Sequence, residues 1–425
     1  MRAITTMNNV PLPARQDPPA ASAPVSAWAP FSQPAFRIIW SASMTAALCA
    51  WMNDVAAAWL MTSMTTAPLM VALVQAASTL PMFLLGLPAG ALADMSDRRR
   101  FLIGTQVWIA VVAVLSFVVL MAGLMNPPVL LILTFASGIG LALRFPGVAG
   151  ALPETLPRTH LPQGLALNSV ALNIARVAGP AGASFLIASQ GNAAVYACNA
   201  AIALAGCIAV VRWQRAPDAP RATTTTRLVP AMIDGVRRTF ALPVMRAVML
   251  RTALFYSHAT LLIALLPLVA RELDPHSPSM FALLYGALGA GAVLVCLVIM
   301  PRLRNSLSPE KRVAAGTVVL ATTMVVVAFS PWVVVSTLAM FIGGIAWTGT
   351  GNTLTTSAQF AVTNEIRSRG MSMYHGCMMG ASAAGAAFWG WLAGHLGVQP
   401  TFAVAGISAI LCAWLSYRPR AMRTN

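Results

Sequence analysis

Residues 68–100 read PLMVALVQAASTLPMFLLGLPAGALADMSDRRR. From Pro68 to Ala93 no side chain carries a charge; then Asp94, Asp97, Arg98, Arg99 and Arg100 follow within seven positions. Crossing roughly 30 Å of hydrocarbon takes about 20 apolar residues in a helix. The run 68–93 meets that length, and the charges mark where it re-enters water. It reads as a membrane-spanning helix.

The same reading applied outward finds eleven more such stretches. They lie near 36–62, 101–124, 128–152, 163–189, 193–213, 246–270, 279–301, 312–330, 332–361, 370–394 and 398–417. The expected fold is therefore all-α and integral to the membrane, with twelve transmembrane helices in two six-helix bundles, 36–213 and 246–417. A Pro- and Ala-rich tail, read as disordered, covers 1–35. An Arg- and Thr-rich linker covers 214–245, and a short tail covers 418–425. The composition agrees: 58% of the 425 residues are hydrophobic and 9% charged, too little charge to coat a soluble globule of that size.

The net charge of +16 is placed by position rather than by sum. With the N-terminus inside, the inner loops collect Arg98 to Arg100, Arg158, Arg212, Arg237, Arg238, Lys311, Arg312, Arg367 and Arg369. The outer loops keep Arg271 alone. The positive-inside rule then puts both termini in the cytoplasm. The basic residues lack the aromatic interleaving of a stacking platform, so no nucleic-acid partner is expected. None of the six cysteines forms a CxxC or pairs with histidine, which gives no disulfide frame or metal site. Phosphate-loop, HExxH and nucleophile-elbow patterns are missing too, so neither a cofactor nor enzymatic chemistry is expected.

The turn after the second span resembles the GxLADxxxRR loop of the major facilitator superfamily. Gly90, Asp94, Asp97, Arg98, Arg99 and Arg100 carry the match; Met95 stands where an arginine is usual and Asp97 where a glycine is. Asp-Arg-Arg-Arg at this place is similar to the enterobactin-exporter-like, or transmembrane secretion effector, branch. The likeness runs from Phe36 to about Tyr417 and includes Leu167-Asn168-Ser169, Asn199-Ala200, Leu266-Pro267 and the Gly286-to-Ala292 stretch. It implies a secondary transporter of the bacterial inner membrane, able to act as a monomer, with the loop as a cytoplasmic gate. The competing reading of the loop is a solvated charge turn. Gly179-Pro180 with Gly182 resembles, in shortened form, the fifth-helix motif of drug–proton antiporters; the competing reading is an ordinary proline-bent helix.

Ionisable groups within apolar runs are costly unless paired or wet, so they mark candidate mechanism. Asp54, after Asn53, is the evident deep acid, since Glu154, Glu310 and Glu365 fall at helix ends. Arg144 and Arg176 are the deep bases. Asp54 and Arg144 differ in depth by roughly 13 Å at 1.5 Å per residue, so Arg176 remains an alternative partner for the acid, and either arginine an anion contact. His258 and His375 are further proton-relay candidates, against the reading of hydrogen-bonded structural histidines. In the tenth span, Asn352, Thr353 and Gln359 belong to a polar stretch that suits a water-lined cavity, a broken helix or polar helix packing. Met378, Met379, Trp347, Phe388, Trp389 and Trp391 suit an adaptable apolar surface or lipid contact.

The functional expectation is alternating-access export of a small molecule (a siderophore, drug or metabolite), coupled to inward proton movement through Asp54. Uptake or facilitated exchange is the alternative, and a non-transporting membrane sensor the more distant one.

Overall fold

The computed structural model describes residues 26–157, 159–213, 237–274, 278–299, 307–362 and 367–416. Most of the N-terminal tail and linker, the C-terminal tail and the loop arginine Arg158 lie outside them. Twelve helical spans follow in order: α1 Pro34–Met64, α2 Pro68–Met95, α3 Arg98–Met121, α4 Pro127–Ala151, α5 Leu161–Gln190 and α6 Asn192–Arg212. The second half holds α7, running Pro243–Ala264 and, past a break at Leu265, Leu266–Leu273; α8 Pro278–Leu294; α9 Pro309–Phe329; α10 Val333–Ala361; α11 Arg367–Leu396; and α12 Val398–Ser416.

Local chemistry sets these starts. Pro34, Pro68, Pro127, Pro243 and Pro309 each open a helix, where a missing N–H costs nothing. Asp97, Asn126 and Ser308 each accept a backbone N–H of the first turn from the N-cap position. Ten spans are long and apolar enough to cross a membrane. The apolar run of α8, Ser279–Leu294, is shorter and is prolonged by a π-helical turn, Val295–Ile299. In α11, glycines, serines and two histidines dilute the hydropathy, but its 30 residues still suffice to span.

Helices α1 to α6 pack on one another, as do α7 to α12, and the halves meet mainly through α2 against α11 and α5 against α8. Within a half, small residues bring backbones together. A side chain at Gly344 would strike the Leu288 carbonyl, and one at Gly291 the Phe341 carbonyl, so α8 and α10 touch main chain to main chain. Helix α10 is unbroken, with Thr348, Thr350, Thr353 and Ser357 buried, which sets aside the broken-helix expectation for its polar stretch.

Gly344→Val should lower the thermal-unfolding midpoint of the purified protein by roughly 5 °C, the scale of an overpacked core. Gly86→Ala, on an open face of α2, should not. Equal midpoints would show that the α8–α10 backbone contact is dispensable.

Candidate functional site

The two ends of the molecule differ. At the end opposite the arginine-rich loops, the Arg271 Nε in α7 donates to the Thr62 hydroxyl of α1 at 2.7 Å. Its guanidinium lies 4.8 Å over the Trp59 ring. Trp59 in turn stacks on Phe281 of α8 at 5.7 Å, and Gly390 of α11 lies against Leu69 and Ala72 of α2. One apolar core runs through both halves here, including Leu60, Met61, Leu261 and Leu266. At the arginine-rich end the first half keeps a core of its own: Phe36, Ile39, Leu102, Leu156 and Trp213. The bundles are joined at the Arg271 end and do not share a core at the other.

Above that seal, α1 turns one face toward the second bundle. Residues three apart lie on one helix face, so Trp51 and Asp54 point together. Asp54 is partly buried near the Ser78 side chain of α2, whose hydroxyl donates to the Gln75 carbonyl of its own helix at 3.1 Å. Arg176 of α5 lies 5.7 Å over the Trp51 ring and is exposed. Tyr285 of α8 is within electrostatic reach of both Asp54 and Arg176, and Tyr256 of α7 is within reach of Arg176 and Tyr374. Tyr256 packs edge-on against Trp347 at 5.9 Å, and the Tyr374 hydroxyl is 3.0 Å from that of Thr355. An acid and an arginine of the first bundle thus lie within electrostatic reach of tyrosines of the second.

Arg144 is not part of it. Its guanidinium donates to Gln106 Oε1 at 2.5 Å and to the Ser43 hydroxyl at 3.4 Å, inside the first bundle. Counted from the centres of α1 and α4, it lies about 15 Å from Asp54 in depth, against about 7 Å for Arg176. Asn53 also departs from the expected cavity lining. It stands about 100° round the helix from Asp54 and faces a small internal cavity with Cys49, Ser137 and Asn199. His258 is held within the second bundle: Nδ1 lies 2.7 Å from the Leu254 carbonyl and Nε2 3.2 Å from the Ser408 hydroxyl. His375, whose Nδ1 meets the Met371 carbonyl at 2.8 Å, packs at 5.8 Å on Phe145 of α4, across the bundle boundary. Thr353 bonds its own helix at Gly349, Asn352 turns to the Cys296 sulfur, and Gln359 is exposed near the arginine-rich end. Phe388 and Trp391 are exposed, while buried Trp389 donates to the Ser257 carbonyl.

The loop arginines bind helix ends of their own bundle. Arg98 bonds the Gly150 carbonyl and pairs with Glu154 at 2.8 Å. Arg99 bonds the carbonyls of Trp213 and Val211, and Asp97 caps α3. Gly90 faces open space; the side chain of Asp94 lies outside the described residues. On α5, Gly179 and Pro180 are buried, and Gly179 approaches Trp51 so closely that a Cβ there would sit 2.6 Å from the Trp51 Cβ. Gly182 faces open space.

Sequence reasoning missed Tyr256, Tyr285, Trp51 and the sealing role of Arg271. Tyrosine is scarce here, five in all, and three, Tyr256, Tyr285 and Tyr374, lie well inside spans rather than at their watery ends. Tyrosine normally favours that interface, and its placement is the signal that could have found them.

A family model described as transmembrane secretion effector matches residues 25–425. No curated protein sequence matches. Among solved structures, the nucleoside transporter NupG, in a point-mutant form, aligns at 11% identity and a TM-score of 0.73, covering 92% of this chain and 100% of that one. A D-xylose–proton symporter aligns at 16% identity and 0.72, covering 92% and 99%. A bacterial homologue of the human lysosomal transporter Spinster, inward-facing and occupied, aligns at 12% and 0.70, covering 92% and 96%. At these identities the likeness is one of fold.

Arg271→Ala should loosen the seal: a cysteine introduced at Phe281 in that background should react several-fold faster with an impermeant thiol reagent added from the Arg271 side. An unchanged rate would mean that apolar packing alone holds that end shut.

Proposed function

The chain belongs to the transmembrane secretion effector family, and from that premise we propose that it exports a small molecule in exchange for protons. It is a multi-pass membrane transporter of the major facilitator fold. In our reading the arginine-rich end is cytoplasmic, as the positive-inside rule requires, and the membrane is a bacterial inner membrane. In that orientation the described conformation is sealed on the outer side by Arg271, Trp59 and Phe281. Transport proceeds by rocking of α1–α6 against α7–α12 about the central space, within a single chain.

The observation that carries this reading is the position of Asp54. Among the described residues it is the one carboxylate away from a helix end, and it lies within electrostatic reach of Tyr285 of the second bundle. A carboxylate so placed holds a proton more readily when its surroundings are dry and releases it when they are wet. Rocking switches those surroundings. Arg176, level with the middle of α5, completes the site from the facing helix.

Proteoliposomes containing only this protein test the proposal with a panel of siderophores and cationic drugs. Active substrates should drive proton movement opposite to their own, and Asp54→Asn should abolish that flux while leaving the protein folded. Equal flux in the variant would remove Asp54 from coupling. Substrate and protons moving the same way would reverse the assignment to uptake.

A further inference from the structure

Two opposite charges share the inter-bundle space without neutralising each other. Asp54 lies near Ser78 of α2, and among the described residues no ion pair joins it to Arg176, whose guanidinium rests on the face of Trp51. Both are within electrostatic reach of Tyr285, and they stand about 7 Å apart in depth. Near the bilayer midplane a charge is costly unless water or a counter-charge meets it. A ligand bearing a single charge would satisfy one of the two groups and be repelled by the other at similar range. Trp51 lies beneath Arg176, and Tyr285 and Tyr256, the latter packed edge-on against Trp347, are aromatic groups of the second bundle within its electrostatic reach.

We propose that this site takes a zwitterionic aromatic compound, its cationic group on Asp54, its anionic group on Arg176 and its ring against those aromatic groups. The inference rests on reading the inter-bundle space as the substrate site. It also links ligand charge to the direction of coupling. A proton on Asp54 removes the subsite for the cationic group, so proton and substrate exclude each other, as exchange requires. A simple anion would bind better to the protonated site and travel with the proton.

The test is calorimetric titration of the full chain in lipid nanodiscs at neutral pH, with no gradient. Four compounds share one ring: para-(aminomethyl)benzoate, para-toluate, para-methylbenzylamine and para-methylbenzyl alcohol. The zwitterion should bind about ten-fold tighter than either singly charged analogue, and the alcohol weakest. Asp54→Asn should equalise the zwitterion and para-toluate; Arg176→Gln should equalise the zwitterion and para-methylbenzylamine. Asp54→Glu and Arg176→Lys, which keep the charges, should preserve the ranking and so separate lost charge from lost fold. A singly charged analogue binding as tightly as the zwitterion, or no saturable zwitterion binding at millimolar concentration, overturns the proposal. Because no gradient is applied, that result leaves proton coupling through Asp54 standing; coupling lost with the ranking intact would do the reverse.

Discussion

Hydrocarbon offers neither a hydrogen-bond partner nor a counter-charge, and the helix ends and deep charges of this protein are placed against that constraint. Helices close their own backbone bonds except at their ends, where the last carbonyls are left over. Both halves use the same remedy. Arg98 and Arg99 reach from the start of α3 to the final carbonyls of α4 and α6, and Arg251 of α7 donates to the Ser416 carbonyl at the end of α12. These cations sit where the helix dipoles are negative and where headgroups and water begin. The charge asymmetry that orients the chain therefore also ties helix ends together.

The same constraint separates what is rigid from what can part. Within a bundle, backbone meets backbone at Gly344 and Leu288, at Gly291 and Phe341, and at Gly385 and Ser257. Such contacts leave no slack for sliding, because no flexible side chain stands between the helices. Between the bundles, beside the close approach of Gly390 to α2, the Arg271 seal is made of a side-chain hydrogen bond, a cation over a ring and one stacked pair. Each is modest in strength and separable without unwinding a helix. Two stiff bodies joined by soft contacts can exchange between discrete arrangements, which is the mechanical requirement of alternating access.

The spans were legible in the sequence because hydrocarbon thickness dictates their length; all twelve expected runs coincide with helices, to within a few residues at most ends. What lay hidden was which arc of each helix faces the other bundle. A soluble helix betrays its buried face by the contrast of apolar and polar sides, but a membrane helix is apolar on both its packed and its lipid faces. Asn53 and Asp54 show the consequence. Adjacent in sequence and similar in polarity, they are separated by one step of the helix into two environments, the interior of one bundle and the space between two. The tyrosines of α7 and α8 were obscure for a related reason: in a run of apolar letters they read as ordinary core until the partner helix is in place.

The two deep arginines make the same point in energetic terms. A guanidinium carries five N–H donors and does not give up its charge. Arg144 has the side-chain amide oxygen of Gln106 and the Ser43 hydroxyl, in a position closed to water, and it braces α4 against α3 and α1. Arg176 has a ring beneath it and, among the described residues, no hydrogen bond above. A donor set already engaged cannot turn to a ligand without losing what holds its own helices together. One left facing open space keeps its directional capacity for whatever enters, so Arg176 can act on a substrate while Arg144 maintains the bundle on which it acts.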